Sequence, residues 1–261
     1  MDIFAINGVA YDINVNSLQR EASILSGDNA GMLRNGNMVR DVTGTIYNYN
    51  FEIGQKLSNV SAYDALYDVL TAPVSSYSIS VPFGQGQLDF NAYIANVSDN
   101  ITHMGSKNIW NKLMFTANTI EPQRYYGENW SIGEGLGNEV FTVDSVGFDC
   151  STVKLERRGQ VLETNNSIRF NSGRMSREII GTYYNYSLQI EHEDARQYDR
   201  LYYALTAPVD SHEIVIPYGQ TTLTFNAYVT GARDNLTFLN DNLRIWGGLE
   251  VDFTAMAPER T

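Results

Sequence analysis

The chain has 261 residues, of which 43% are hydrophobic and 12% aromatic, with 17 tyrosines; this composition excludes a disordered chain and points to one rich in strands. Its 30 acidic against 18 basic residues give a formal net charge of −12, which excludes tight binding to a phosphate backbone but suits a surface past which DNA slides without sticking. No run approaches the ~18 apolar residues that cross a bilayer, and residues 1–8 lack the basic and apolar regions of a signal peptide, so a soluble protein made in the cytoplasm is expected.

In chain order, residues 27–38 read as a long loop rich in Gly and Asn, the kind of loop that is functional or ordered by a partner. Residues 43–53 alternate Thr, Tyr, Ile and Phe and read as a long strand entering a hairpin. A helix follows over residues 61–70, with Tyr63, Leu66, Tyr67 and Leu70 at helical spacing and Ala72-Pro73 as its stop. Three further strands are expected at 77–81, 87–97 and 108–119, with Pro82-Phe83-Gly84-Gln85 as the first turn.

The second half repeats these words in order. Arg20 matches Arg157, and Gly44-Thr45-Ile46-Tyr47-Asn48-Tyr49 matches Gly181-Thr182-Tyr183-Tyr184-Asn185-Tyr186. Tyr63-Asp64-Ala65-Leu66-Tyr67 returns as Tyr198-Asp199-Arg200-Leu201-Tyr202, and Pro82-Phe83-Gly84-Gln85 as Pro217-Tyr218-Gly219-Gln220. Phe90-Asn91-Ala92-Tyr93 matches Phe225-Asn226-Ala227-Tyr228, Trp110 falls on Trp246, and the copies close on Pro122-Gln123-Arg124 and Pro258-Glu259-Arg260. Roughly a third of the aligned positions are identical, which makes an internal duplication. The expected division is a first copy at 1–124, a Gly- and aromatic-rich linker at 125–138 and a second copy at 139–261, with a two-residue length difference between Glu52 and Ser61. The second copy's strands are expected at 180–190, 213–216, 221–230 and 244–255.

Catalytic and metal-binding signatures are thin, and no enzyme activity or cofactor is expected. Cys150 alternates with Val146 and Phe148 as a small core residue does. His103, His192 and His212 lie at unrelated positions, and Glu191-His192-Glu193-Asp194 reads as a polar hairpin tip. The seven N-x-S/T matches read as turn residues. Among shared acids, Asp64 and Asp199 are expected at helix starts, and Asp99-Asn100 and Asp234-Asn235 in turns.

The words Gly-Thr-Tyr-Tyr-Asn-Tyr, Tyr-Asp-x-Leu-Tyr, Leu205-Thr206-Ala207-Pro208-Val209-Asp210-Ser211-His212 and Pro-Tyr-Gly-Gln resemble segments of tail-associated proteins in prophages of Gram-positive bacteria. The repeated order of elements is similar to the tail-tube fold of bacteriophages and related injection machines. That resemblance implies a mainly β chain with one helix per repeat, as two tandem tail-tube-like β-sandwich or barrel domains. It implies self-assembly into rings around a DNA channel in the virion tail, as tube, distal ring or small hub, touching neighbouring tail proteins. Two fused copies imply a homotrimer of pseudo-sixfold symmetry. The long hairpins would line the channel, and the loops at 27–38 and 164–175 would stack rings, with Asp28, Arg34, Arg40, Arg169, Arg174 and Arg177 as the candidate contacts. A carbohydrate-binding β-sandwich is the alternative, since exposed aromatics stack on sugars.

Overall fold

The computed structural model describes residues 4–105, 108–128, 141–149, 151–191, 194–239 and 243–260. The first copy contributes β1 (Ala5–Ile6), β2 (Val9–Ala10), β3 (Asn14–Ser26), β4 (Gly31–Met32), β5 (Met38–Val39), β6 (Val42–Gly54), α1 (Val60–Leu70), β7 (Tyr77–Phe83), β8 (Gly86–His103), β9 (Ile109–Thr119) and β10 (Arg124–Tyr125). The second repeats the order as β11 (Thr142–Val143), β12 (Val146–Gly147), β13 (Ser151–Glu163), β14 (Ile168–Arg169), β15 (Met175–Ser176), β16 (Ile179–Glu191), α2 (Ala195–Leu205), β17 (His212–Tyr218), β18 (Thr221–Leu239) and β19 (Arg244–Ala255). Tyr63 and Tyr198 occupy the same element of their copies, and the length difference falls in the connections at 55–59 and 192–194.

The molecule is mainly β, and both copies belong to one antiparallel sheet. Its main run is β13-β16-β19-β18 from the second copy, then β3-β6-β9-β8 from the first. The joint between copies is the pairing of β18 with β3, from Gly231↔Ser23 to Asn235↔Gln19. At the start of β8 and of β18 the sheet turns away through β7-β1-β2 and β17-β11-β12.

Period-two alternation sets which face is buried. In β6, Tyr47, Tyr49, Phe51 and Ile53 point to the core while Asn48, Asn50 and Glu52 point away. The helices close over this core with Tyr63, Leu66 and Leu70 of α1, and Tyr198, Leu201 and Leu205 of α2. Phe51 stacks on Phe115 at 4.6 Å, and one continuous cluster of buried side chains runs through both copies.

Several expectations are corrected. The strand β3 and its repeat β13 were not foreseen, because Arg20 interrupts the apolar alternation of Leu18, Ala22 and Ile24. The loop at 27–38 carries a two-stranded hairpin, β4-β5, and its counterpart carries β14-β15. Asp99 and Asp234 lie in no turn: β8 and β18 run straight through them, with register shifts taking up the irregularity. Asp64 and Asp199 are the fifth residues of their helices, beyond the first turn where a carboxylate meets free N–H groups. At α2 that role belongs to Asp194, which accepts from the N–H groups of Arg196 and Gln197. Cys150, His192, Glu193 and most of the linker at 125–138 lie outside the described residues; of the linker, Tyr125 pairs with Gly44 on β6.

Candidate functional site

The chemistry of this chain is concentrated where the copies meet. β3 places Arg20 at an inward position, and β18 brings Asp234 opposite it. Arg20 Nε donates to Asp234 Oδ1 at 3.0 Å and Nη2 to Oδ2 at 2.5 Å, a two-pronged pair with 1% and 0% of the two side chains exposed. Three rings surround the guanidinium: Tyr202 at 3.5 Å, Trp246 at 4.1 Å and Phe83 at 4.9 Å. Burial works against the Arg20 charge, but Asp234 together with the Tyr202 and Tyr49 side chains more than offsets it, so the pKa of Arg20 lies above its ordinary value. Burial raises the Asp234 carboxyl, and Arg20 draws it back. We take the pair as ionised, since both prongs of the fork are satisfied.

Around this box, side chains of one copy reach main chain of the other. Gln85 Nε2 donates to Asp199 Oδ2 at 3.0 Å and to the Arg244 carbonyl at 2.7 Å, while the Arg244 N–H donates to Gln85 Oε1 at 3.1 Å. Thr45 Oγ1 donates to the Thr206 carbonyl at 2.8 Å, and Arg124 Nη1 donates to the Tyr203 carbonyl at 2.8 Å with its guanidinium over the Tyr203 ring. Burial raises the Asp199 carboxyl, which Gln85 partly counters. The junction is also tight in its backbone: a Cβ on Gly231 would stand 2.5 Å from the Ala22 carbonyl oxygen.

The sheet face opposite the core is polar across both copies. Glu21, Asn50, Gln189, Arg233, Asn235 and Glu250 stand on it, and a hollow of about 620 Å³ opens over its second-copy half and β3. Several side chains hold each other flat: Arg233 Nε donates to Glu250 at 2.6 Å, Thr116 Oγ1 to Asn50 at 2.8 Å and Asn50 to Gln19 at 3.2 Å. Around the hollow the carboxylates of Glu21, Glu250 and Asp252 outnumber the cations of Lys154 and Arg233, and Arg233 is held by Glu250, so the face offers a polyanion little to grip.

The six candidate loop residues separate into two groups. Arg40 is inside the joint between copies, donating from Nη1 to the Val229 carbonyl at 3.2 Å and from Nη2 to Ser26 Oγ at 3.0 Å. The hairpin beside it also lies on the second copy, through Met38 N–H to the Met256 carbonyl and the Tyr183 hydroxyl to the Gly36 carbonyl. Arg177 pairs with Glu163, and Arg169 donates to the Gly173 carbonyl at 2.9 Å. Asp28, Arg34 and Arg174 are exposed. The loop residues thus form no single cluster, and Arg40 belongs to the lateral joint. Sequence reasoning missed Arg20 and Asp234 as partners, although both are kept in the two copies; a cation at an inward strand position was the signal.

Among the described residues no group of three or more His, Cys, Asp and Glu stands together as a metal site, and no helix is long and apolar enough to cross a membrane. No family of known proteins matches the chain, and no curated protein does.

Proposed function

We propose that this protein is a structural component of a bacteriophage tail, assembling as tube, distal ring or small hub into rings around a channel through which DNA passes without specific binding. The observation that carries this reading is the sheet itself. Two copies join edge to edge into one continuous run of strands whose outer face is polar and rich in carboxylates and amides. A sheet built by repetition extends by further repetition, and closure is the way such an array removes its edges. Three chains, each with two copies, supply six similar positions, so the ring is a homotrimer.

The sugar-binding alternative needs rings presented to solvent. Tyr47, Tyr49, Tyr63, Tyr186, Tyr198 and Tyr202 are at most 2% exposed and belong to the core, and the exposed rings Tyr93, Phe170, Phe238 and the Tyr125-Tyr126 pair are spread over separate parts of the chain, which favours the assembly reading. Negative-stain imaging of the purified protein tests it: rings or short tubes with a central channel are expected, and their mass should equal three chains. Isolated single chains that bind glycans would overturn the proposal in favour of the alternative, and six chains per ring would overturn the trimer.

A further inference from the structure

The joint inside the chain has a counterpart that the single chain leaves open. The residues that build the arginine box of the joint, Arg20, Phe83, Tyr202, Asp234 and Trp246, recur as Arg157, Tyr218, Tyr67, Asp99 and Trp110. β3 is covered by β18, but its repeat β13 pairs only with β16 among the described residues. β18 is covered by β3 along 231–235, whereas the corresponding edge of β8, at 96–100, has no strand upon it among the described residues. The helices record the same asymmetry. Tyr202, Ala204, Thr206 and Ala207 of the α2 segment are buried, while Tyr67 and Val69 are half-buried and Thr71 is exposed at the same positions of α1.

The geometry points to these two unpaired edges as one interface, filled by a second copy of this chain: β13 of one protomer adds to the 96–100 edge of β8 in its partner. The inference deepens the assembly reading, on which it rests, and fixes its register. Transferring the internal joint by the repeat places Arg157 opposite Asp99, Gly159 opposite Val97 and Arg158 opposite Ser98. Where the internal joint sets Ala22 against Ala232, the larger Val97 would face Gly159, which has no side chain.

Half of the arginine box is already built. Arg157 lies 4.5 Å from the Tyr218 ring centre, as Arg20 lies 4.9 Å from Phe83, the residue at the same place in the first copy. The missing walls correspond to Tyr67, Trp110 and Asp99 of the partner, in the roles of Tyr202, Trp246 and Asp234. Trp246 is buried at 2%, and Trp110 is half-buried. Beside Trp110 lies a hollow of about 440 Å³, lined in part by Asp64, Asn108 and Ser61. The same transfer directs the 218–220 turn of the second copy toward it. In the internal joint the equivalent turn presses on α2, with a Cβ on Gly84 falling 2.9 Å from the Asp199 carboxylate; Gly219 has nothing within 4 Å of that position.

Charge follows the same division. Arg157 and Arg260 stand on the second copy's open edge, and Asp64, Asp68 and Asp99 stand on the first copy's. Arg260 takes the place of Arg124, and its counterpart across the interface would be Asp68 in place of Tyr203. Complementary edges on one chain make the contact head-to-tail, the kind that builds a ring when its rotation closes and a filament when it does not; native mass separates the two.

The test is charge reversal, read by native mass spectrometry and sedimentation of the purified chain at the concentration where the unaltered protein assembles. Arg157→Asp and Asp99→Arg should each raise the half-assembly concentration on the order of 100-fold, and the double variant should recover assembly because the pair is restored with opposite polarity. Circular dichroism checks that each variant remains folded. As a second measurement, Ser98→Cys with Arg158→Cys in a Cys150→Ser background should form interchain disulfides under mild oxidation, since facing residues of antiparallel strands bring Cα atoms to about 4.5–5.5 Å. If the unaltered protein assembles but the single reversals leave assembly unchanged, or no interchain disulfide forms, this interface is wrong while the ring reading survives. If the unaltered protein never assembles, both fall.

Discussion

Replacing Arg20 by Met, which keeps much of the side-chain bulk and removes the charge, isolates what the buried pair contributes to the joint. Asp234 is then left fully buried with no counter-charge. Removing one partner of a buried ion pair costs about 3–5 kcal/mol, a large share of the ~5–15 kcal/mol that stabilises an ordinary domain. The same substitution at Arg157 removes an exposed guanidinium from one face of Tyr218 and should cost under ~1 kcal/mol in the single chain. At about 2–4 °C per kcal/mol, Arg20→Met should lower the melting temperature by roughly 10 °C and Arg157→Met by a small fraction of that. Thermal and urea unfolding of dilute protein, below its assembly concentration, measures both. The pH dependence adds a second signature. Burial raises the Asp234 carboxyl, and without Arg20 nothing comparable draws it back. A raised folded-state pKa contributes stability that is present below the unfolded value and lost as pH rises through the folded value. The deficit of Arg20→Met should therefore be smallest in acid and grow toward neutral pH. Equal losses for the two methionine variants, or a deficit that does not change with pH, would contradict the assignment of Arg20 to a buried joint.

Gly231→Ala should destabilise the chain by about 1–3 kcal/mol, seen as a lower urea midpoint, because its Cβ would meet the Ala22 carbonyl oxygen at 2.5 Å and force β18 away from β3. Assembly should weaken in acid. The Asp99 carboxyl is raised in the single chain by burial and by Asp64 on α1, while Tyr63 donates to it at 3.3 Å. Arg157 of a second copy would lower it, so affinity is fully present above the single-chain value and is lost as pH falls below that value through the lower one of the assembled form, which sedimentation across the carboxylate range measures. A mixture of Arg157→Asp and Asp99→Arg chains can make only alternating contacts. Alternation closes with an even number of chains, so a three-membered ring should not form from the mixture, although it forms from the double variant; closed rings in the mixture by native mass spectrometry would count against three chains.

The duplication, the helices and the strands with clean alternation were legible because they rest on local pattern. Tyr63, Leu66 and Leu70 announce a helix face whatever surrounds it, and Tyr47, Tyr49, Phe51 and Ile53 announce a buried strand face. The joint was not legible, because its residues obey no local rule. Arg20 sits where alternation calls for an apolar side chain, which hid the strand that carries it. Asp234 is a turn former by type, yet it lies in the middle of a 19-residue strand. Each is explained only by the other, 214 residues away along the chain. Loop composition misled in a similar way: residues 27–38 are poor core material, and that described their surroundings in isolation rather than their seat on the second copy, where Gly36 is buried and Met38 is bonded.

A duplicated chain carries a further source of information that neither local pattern nor fold supplies. Arg20 and Arg157 are the same residue in two environments, as are Asp234 and Asp99, and in each pair one member is buried and the other is not. Burial that differs between matched positions cannot come from the intrinsic preference of the residue, since the residue is the same. It comes from the neighbour that one position has and the other lacks. Taken over Arg20, Gly36, Arg40, Thr45, Tyr47, Arg124, Tyr202, Thr206 and Trp246, all more buried than their repeats, the difference draws the outline of an absent partner. The outline is complementary: the residues open on the second copy are those whose repeats cover the first, and the residues open on the first are those whose repeats cover the second. Under the interface proposed above, another copy of the same chain supplies both halves of that shape.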